Sequence, residues 1–174
     1  PLKVELDGGI QAIHKYPRNP QGILAVFNDY FASRVAQMAK LSIPEIGIAS
    51  LDKETEVSIE GLQVGLYKGN RFYSTYIPQT APASRRSIAR SINLAETCRM
   101  ILVDAIVFNM DRHVGNVLVS YQKDDCRMYP IDFTHAFGGP DWTMETLQIG
   151  DSESPVFWRE NEDFYQMMRN AGAN

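Results

Sequence analysis

An apolar segment that turns abruptly polar constrains this chain more than any other feature of its sequence. ILVDAIVF, residues 101–108, runs directly into NMDRHVGN, residues 109–116. Asn93 and Glu96 have the spacing of a capping box, so they predict the start of a helix that continues through the apolar segment and is deeply buried. The polar octapeptide is then either an ordinary turn after that helix or a group of side chains held for chemistry.

Residues 117–133 predict a β-hairpin that bears on this choice. VLVSY and CRMYPIDF are strand-like and are separated by the turn QKDD. Such a hairpin brings Asn116, at its start, close to Asp132, at its end, and Asp111 lies five residues before Asn116. Phosphoryl transfer uses a set of this kind. One carboxylate orients the attacking hydroxyl and accepts its proton, while an amide oxygen and a second carboxylate hold magnesium.

Composition excludes several other classes of protein. The 174 residues are 44% hydrophobic and 22% charged, which suits one compact domain or two small lobes. The net charge of −4 argues against a mainly electrostatic binder of nucleic acid or of a membrane surface. Cys98 and Cys126 form no CxxC pair, which favours a reducing cytoplasm. No apolar run approaches the roughly 20 residues that span a bilayer. We therefore expect a cytoplasmic protein without nucleic-acid or membrane partners.

The first third of the chain predicts a small sheet. LKVELDGGIQAIHKY has two alternating strands joined at Asp7-Gly8-Gly9, and residues 46–52 and 57–67 are two further β-like runs. Residues 71–91, rich in Ser, Pro and Arg, predict an irregular connector. We place the boundary between two lobes within it, so that residues 1–80 form the first lobe and residues 81–174 the second.

One amphipathic helix is predicted over residues 23–41. Its apolar stripe consists of Leu24, Phe27, Phe31, Val35 and Met38. Asp29 lies off that stripe, on a second face with the small residues Ala25, Ala32 and Ala36. Small residues on that face would allow another element to pack closely beside Asp29. A last helix is predicted over residues 160–170, with Phe164, Met167 and Met168 on its apolar side.

The polar motifs resemble those of a known superfamily. D-R-H-x-G-N at residues 111–116, followed by I-D-F at 131–133, is similar to the catalytic and metal-binding loops of the protein-kinase-like superfamily. The closest resemblance is to the HipA-like kinases, and a more distant one is to the phosphatidylinositol kinases. It extends upstream to AIHKYPRNPQG and FNDYFASRVAQMAKLSIPE and covers roughly residues 5 to 137. It implies an α+β fold in two lobes, a small antiparallel sheet with a helix and a mainly helical lobe, in a truncated or minimal form.

The resemblance also implies roles for the residues of the polar loop and the hairpin. Asp111 would be the catalytic base, and Asn116 and Asp132 the ligands of Mg²⁺. His113 would lie near the γ-phosphate of ATP, whereas Arg112 would brace the loop rather than touch substrate.

A nucleotide site is implied in the first lobe. Lys15 corresponds to the strand lysine that pairs with the ATP phosphates, and Asp29 to the acidic helix residue that orients this lysine. The Gly8-Gly9 turn is a short version of the glycine-rich loop and could cradle phosphate through its N–H groups. The implied cofactors are ATP and Mg²⁺.

Each of these residues also has an ordinary structural explanation. Asp111 could cap a turn, Lys15 could be a solvated surface lysine, and Gly8-Gly9 could be a plain hairpin turn. Asn28, next to Asp29, could cap a helix. The combination of Asp111, Asn116 and the following I-D-F favours the functional interpretation over these single-residue explanations.

Three functions remain open. The first is a kinase that transfers the γ-phosphate of Mg-ATP to a hydroxyl acceptor, with a protein Ser or Thr as the favoured one. The short glycine turn and the few helices after Asp132 instead suit a catalytically inactive, kinase-fold binding or regulatory module. A small-molecule phosphotransferase of the antibiotic-kinase type usually has H-G-D in its loop, so D-R-H argues against it.

Charge around the predicted metal site bears on the phosphate acceptor. No Lys or Arg occurs between Arg127 and Arg159. This interval contains the acidic residues Asp141, Glu145, Asp151 and Glu153. An acidic surface argues against a phosphoinositide substrate and favours a basic protein or an amine-bearing small molecule. The basic cluster SRRSIARS, with Arg85, Arg86 and Arg90, predicts a solvated connector in which Ser87 could be phosphorylated.

Overall fold

The computed structural model describes residues 1–15, 21–52, 55–59, 62–66, 68–122, 125–147 and 155–172. Its described strands are β1 (Leu2–Leu6), β2 (Ile10–His14), β3 (Ile46–Leu51), β4 (Thr55–Ile59), β5 (Leu62–Leu66), β6 (Gly69–Thr75), β7 (Thr80–Pro82), β8 (Val117–Gln122) and β9 (Asp125–Pro130). Its described α-helices are α1 (Gly22–Met38), α2 (Arg85–Ala89), α3 (Thr97–Ile106) and α4 (Pro155–Gly172). Small antiparallel sheets combined with helices confirm the predicted α+β class.

The first sheet has the strand order β1-β2-β6-β3, and each neighbouring pair is antiparallel. The predicted hairpin of β1 and β2 is present, with Gly8 and Gly9 at φ values of 84° and 78°. Glycine adopts these left-handed angles without a steric penalty. The expectation that residues 71–91 form an irregular connector was wrong, because β6 (Gly69–Thr75) extends into this range and pairs with both β2 and β3. Its strand character depends on partners distant in sequence, such as Ile48 opposite Phe72.

Helix α1 buries the small-residue face beside Asp29, where close packing was expected, rather than its apolar stripe. Its buried residues are Ala25, Val26, Asn28, Asp29, Ala32, Ser33 and Ala36, which is the face of small residues around Asp29. The expected apolar stripe is half-buried or exposed instead: Phe27 and Phe31 are each 45% exposed and Met38 is 83% exposed. Asn28 and Asp29 have partners in the second half of the chain, and those bonds require their face to turn inward.

The helix α3 forms as predicted, but its capping is different. Asn93 makes no cap bond and instead exchanges two hydrogen bonds with the main chain of Met128, and Glu96 binds Ser42. The predicted Asn93–Glu96 capping box is therefore wrong, and α3 follows a short 3₁₀ turn. The burial of α3 is one-sided, since Met100 and Val103 are buried whereas Leu102 is 59% exposed.

The second half of the chain surrounds a three-stranded sheet of order β7-β8-β9. The β8–β9 hairpin is present as predicted, with Val117 opposite Pro130. The core against it includes Ile88 from α2, Val103 from α3 and Phe164 and Met168 from α4. The lobe boundary at residues 80 and 81 remains a prediction; the structure shows that β7 joins β8 and not the first sheet. Among the described residues, none of the helices is long and apolar enough to cross a membrane.

Candidate active site

The β8–β9 hairpin brings its two ends together. The N–H of Ile131 donates to the main-chain oxygen of Asn116 at 3.0 Å, directly beyond the last paired residues of the strands. Asn116 therefore starts the hairpin beside the residue that precedes Asp132. Because the two positions are fixed by a strand ladder, their side chains project from a rigid edge rather than from a long loop.

Lys15 joins the first sheet to this edge. Its ammonium group lies 2.8 Å from Asp29 Oδ2 and 2.8 Å from Asp132 Oδ1. The other oxygen of Asp29, Oδ1, accepts a hydrogen bond from the N–H of Phe133 at 2.8 Å. Three residues from separate parts of the sequence thus meet. Lys15 directly follows β2, Asp29 lies on the buried face of α1, and Asp132 is the second residue after β9.

The charges in this cluster reinforce each other. Burial alone would lower the pKa of Lys15, but the carboxylates of Asp29 and Asp132 outweigh it and raise that pKa above its ordinary value. Burial alone would raise the pKa of Asp132, but Lys15 and the hydrogen bonds from Thr134 lower it below its ordinary value. Lys15 is therefore a cation, and Asp132 an anion, over the whole physiological range of pH.

The polar loop of residues 109–116 forms a second cluster. The amide nitrogen of Asn116 donates to the main-chain oxygen of Asp111 at 2.7 Å and to its Oδ2 at 3.2 Å. The side chain of Asp111 is 45% exposed, so its carboxylate is accessible from solvent. His113 Nε2 lies 3.7 Å from Asp111 Oδ2, which is too far for a hydrogen bond. His113 is exposed beside the carboxylate rather than bound to it.

Gly115 allows the His113 ring to lie close to the main chain of the motif. The N–H of Gly115 donates to Nδ1 of His113 at 3.0 Å, which fixes the orientation of the imidazole ring. A Cβ atom at this position would lie 2.7 Å from the Cε1 atom of that ring. The glycine of D-R-H-x-G-N therefore serves the close approach of the histidine to the main chain.

Arg112 braces the loop from beneath, in agreement with the sequence analysis. It is 1% exposed and forms a bidentate ion pair with Asp104 of α3, with both N–O distances at 2.9 Å. Its Nη1 atom donates to the main-chain oxygens of Asn116 and Ile131, at 2.6 and 2.7 Å. One guanidinium thus ties α3 to both ends of the hairpin that carries Asn116 and Asp132. Burial alone would lower the pKa of Arg112, but Asp104 raises it, so the group stays charged.

Helix α4 supplies residues that sequence analysis missed. The Oδ1 atom of Asn161 accepts from the N–H of Arg112 at 2.7 Å, and its amide nitrogen donates to the main-chain oxygen of Asn109 at 2.9 Å. Tyr165 donates to Asp104 at 3.5 Å. The sequence signal for this role is weak: it is one asparagine within the charged stretch ENEDFYQMM. In the structure Asn161 is fully buried. Its partner is 49 residues away in sequence.

The oxygen atoms of Asn116 and Asp132 suit a magnesium ion. The amide nitrogen of Asn116 faces Asp111, so the Oδ1 atom of Asn116 faces away from Asp111. No described residue hydrogen-bonds to Asn116 Oδ1 or to Asp132 Oδ2. Amide and carboxylate oxygens are hard ligands of the kind that Mg²⁺ prefers, and Mg²⁺ commonly takes one or two of them together with phosphate oxygens and water. Among the described residues, no three His, Cys, Asp or Glu side chains cluster to hold a metal by themselves.

The remaining predicted residues lie apart from these clusters. Gly8 and Gly9 are exposed at the tip of the β1–β2 hairpin, and the N–H of Gly9 donates to Leu6 O at 3.1 Å. The tip is six residues from Lys15, roughly 20 Å along an extended strand.

Ser87 is only 5% exposed and forms a capping box with Ser84, which argues against the predicted phosphorylation in the folded protein. Asp151 and Glu153 fall outside the described residues.

Arg86 and Arg90 are exposed, as predicted for the connector, although residues 85–89 form the helix α2. They line a cavity of about 350 Å³ together with Tyr121 and Asp125 of the β8–β9 hairpin. Tyr121 and Asp125 are at the end of the hairpin opposite to Asn116 and Asp132. The basic cluster is therefore separate from the candidate active site.

The ion pairs of Lys15 with Asp29 and Asp132, and the buried Arg112–Asp104 pair beneath D-R-H-x-G-N, are compatible with a minimal kinase-like α+β fold. The chain matches the model of a protein family described as HipA-like kinase over residues 18–166, which is most of its length. It belongs to the HipA-like kinase family, as the motifs indicated. The match runs beyond residue 137 into α4, where Asn161 and Tyr165 lie, and it begins after Lys15. No curated protein matches the chain.

Proposed function

We propose that this protein is a Mg²⁺-dependent kinase that transfers the γ-phosphate of ATP to a hydroxyl group, most readily of a protein Ser or Thr. Membership of the HipA-like family indicates kinase-type chemistry in general. The observation that carries the proposal is the contact of Lys15 with both Asp29 and Asp132, at 2.8 Å each. This contact places the ammonium group of Lys15 beside Asp132, a candidate metal ligand, at the edge of the hairpin where Asn116 also lies.

Lys15 is suited to bind phosphate oxygens of ATP. Its side chain is only 16% exposed, and Asp29 is held in turn by the N–H of Phe133, so the ammonium group is directed toward the edge near Asp132. A preorganised ammonium group of this kind stabilises the charge of phosphate oxygens without a further cost of reorganisation. We infer that Lys15 keeps Asp29 as its partner and exchanges Asp132 for phosphate when ATP binds.

Asn116 and Asp132 would hold the metal ion through Asn116 Oδ1 and Asp132 Oδ2. When bound, Mg²⁺ neutralises the charge on the transferred phosphate group. The protein's own contribution is to fix the two ligands, since Arg112 bonds to the main chain at both ends of their hairpin. Thr134 orients the Asp132 carboxylate through a hydrogen bond to Oδ1, which does not depend on Lys15.

Asp111 would orient the attacking hydroxyl and accept its proton. Its Oδ2 is held by Asn116, while no described residue hydrogen-bonds to Oδ1, so one oxygen is oriented and the other is accessible. His113 lies close enough to contact substrate or phosphate at the mouth of the site, and we propose this second role for it.

The surface that follows Asp132 supports a basic acceptor. Asp141 and Glu145 are exposed there, and no Lys or Arg occurs from residue 128 to residue 158. Opposite charges across a docking surface steer encounter and exclude partners of the wrong sign. We therefore propose a cytoplasmic protein substrate with basic residues around its Ser or Thr.

Formation of ADP by the wild-type chain tests this proposal. Mg-ATP is supplied with Ser/Thr peptides flanked by arginine, with matched peptides flanked by glutamate, with phosphoinositide vesicles and with an aminoglycoside. We expect Mg²⁺-dependent ADP formation that the basic peptides stimulate most, with phosphate on Ser or Thr by mass spectrometry. Phosphorylation of the lipid or aminoglycoside alone would contradict the acceptor class. Absence of ADP with every acceptor would favour an inactive binding module.

A further inference from the structure

Asn28 is a fully buried amide that bonds to the segment following Asp132. Its Nδ2 atom lies 2.9 Å from each of three main-chain oxygens, those of Thr134, Ala136 and Gly139. Its Oδ1 atom accepts a hydrogen bond from the indole N–H of Trp142 at 2.8 Å. It is 0% exposed and lies within α1. It therefore does not cap that helix, which was the ordinary structural explanation that its sequence position allowed.

The next residue of α1 holds the beginning of the same segment. Asp29 accepts from the N–H of Phe133 and pairs with Lys15. Two consecutive residues of one helix therefore fix residues 133–142 along their length, and one of them also fixes the candidate phosphate-binding lysine. A shift of this helical turn would move Lys15 and the segment after Asp132 together.

The segment needs such support because its backbone is unusual. Asp132 and Phe137 have φ values of 56° and 62°, in the left-handed region that residues other than glycine rarely adopt. Conformations of this kind persist where the surrounding structure imposes them. The carbonyls of Thr134 and Ala136 lie between these two residues, and both are bound by Asn28.

We propose that Asn28 is a positioning residue for phosphoryl transfer. It sets the backbone of residues 133–142, and through this backbone the direction of the Asp132 carboxylate and the place of the acidic surface at Asp141. Asparagine suits the position because one small amide group supplies two N–H donors, which the three carbonyls share, and the acceptor for Trp142. The inference rests on the proposed kinase function.

Aromatic packing is the competing explanation for the order of this segment. Phe137 and Trp142 have ring centroids 6.0 Å apart, and both also contact Phe27 of α1. The substitution Trp142→Phe retains an aromatic ring but removes the N–H that binds Asn28. The substitution Asn28→Asp retains the acceptor for Trp142 but replaces the donors of the three carbonyls by an oxygen. The pair of variants separates the bonds from Asn28 to the three carbonyls from the hydrogen bond and the packing of Trp142.

The test compares kcat for ADP formation and hydrogen exchange of the amides of residues 133–139 in the wild type and the two variants. We expect Asn28→Asp to lower kcat by roughly 10–100-fold, as loss of an outer support of a metal site does, and to speed exchange. Trp142→Phe should change kcat and the exchange rate each by less than about threefold, well below the roughly 10–100-fold loss of kcat expected for Asn28→Asp. Rates are measured well below the melting temperature, where a purely stabilising role would leave kcat unchanged.

A folded Asn28→Asp variant with kcat within about twofold of the wild type, far outside the expected range, would overturn the proposal. So would unchanged exchange in residues 133–139. If Asn28→Asp does not fold, Asn28→Ser, which keeps one donor, is judged by the same criteria. A wild type without turnover would instead contradict the proposed function, and the exchange data, which need no ATP, would still judge the role of Asn28.

Discussion

The substitution Asp111→Asn is expected to lower kcat for phosphate transfer by roughly 10²–10⁴-fold, the usual contribution of a positioned general base. The amide has the shape of the carboxylate, so Asn116 can still donate to the main-chain and side-chain oxygens of residue 111. Only the capacity to accept the proton of the hydroxyl is lost. We therefore expect the KM for ATP and the melting temperature to stay close to those of the wild type.

The matched control for this prediction is Asp163→Asn, which changes an exposed aspartate on α4. It should leave kcat unchanged. Initial rates of ADP formation with a saturating acceptor peptide measure both variants. Wild-type kcat in Asp111→Asn would contradict the assignment of Asp111 as the base, and an equal loss in both variants would point to a nonspecific effect of charge.

The substitution Arg112→Met should have the largest effect on stability. It leaves Asp104 as a fully buried carboxylate without its bidentate partner and removes the donors to Asn116 O and Ile131 O. Breaking a buried ion pair by removing one partner typically costs about 3–5 kcal/mol. For a chain of this size, that corresponds to a melting temperature lower by roughly 6–20 °C.

The same substitution at an exposed site, Arg34→Met, provides the control, because within the described part of the chain Arg34 bonds only to Gln37 on its own helix. Differential scanning calorimetry measures both variants. The double variant Arg112→Met/Asp104→Leu should recover part of the loss, since it no longer leaves a buried charge unpaired. An Arg112→Met variant as stable as Arg34→Met would show that the ion pair does not hold the loop.

Local signals predicted the parts of the fold that depend on neighbours in sequence. The DGG turn and the alternating strands around it specify the β1–β2 hairpin, and the spacing from Asn116 to Asp132 specifies the β8–β9 hairpin. Both are closed by short turns, so their register follows from the chain itself. The meeting of Asn116 and Asp132 could therefore be predicted before any tertiary contact was known.

The orientation of α1 could not be obtained in this way. Hydrophobicity favours burial of Phe27 and Phe31, but the face that is buried carries Asn28 and Asp29. Buried polar groups are costly unless hydrogen-bonded, and the partners of this pair are about a hundred residues away, at Phe133 and Thr134. Periodicity records which residues are apolar, but it does not record which polar residues have partners.

The residues that support the polar loop at 109–116 were also not evident from local sequence patterns. Arg112 could be expected to brace the loop from its place in the motif, but Asp104 lay in a segment that appeared uniformly apolar except for one acid. Asn161 belongs to a helix whose sequence is mainly charged around it. Asn161 is explained by its bonds to Arg112 and Asn109, which are 49 and 52 residues away, and Asp104 by its pair with Arg112, eight residues away. No spacing rule connects these residues.

The central claim is that Lys15, Asn116 and Asp132 form one Mg-ATP site, and calorimetric titration of ATP into the wild-type chain tests it most directly. We predict saturable binding of one ATP per chain that requires Mg²⁺ and is lost with a chelator. In Asp132→Asn the affinity should fall at least about tenfold, as loss of a metal ligand's charge implies, whereas Asp163→Asn should bind as the wild type does. No binding at millimolar Mg-ATP, or equal binding with chelator and in Asp132→Asn, would contradict the claim.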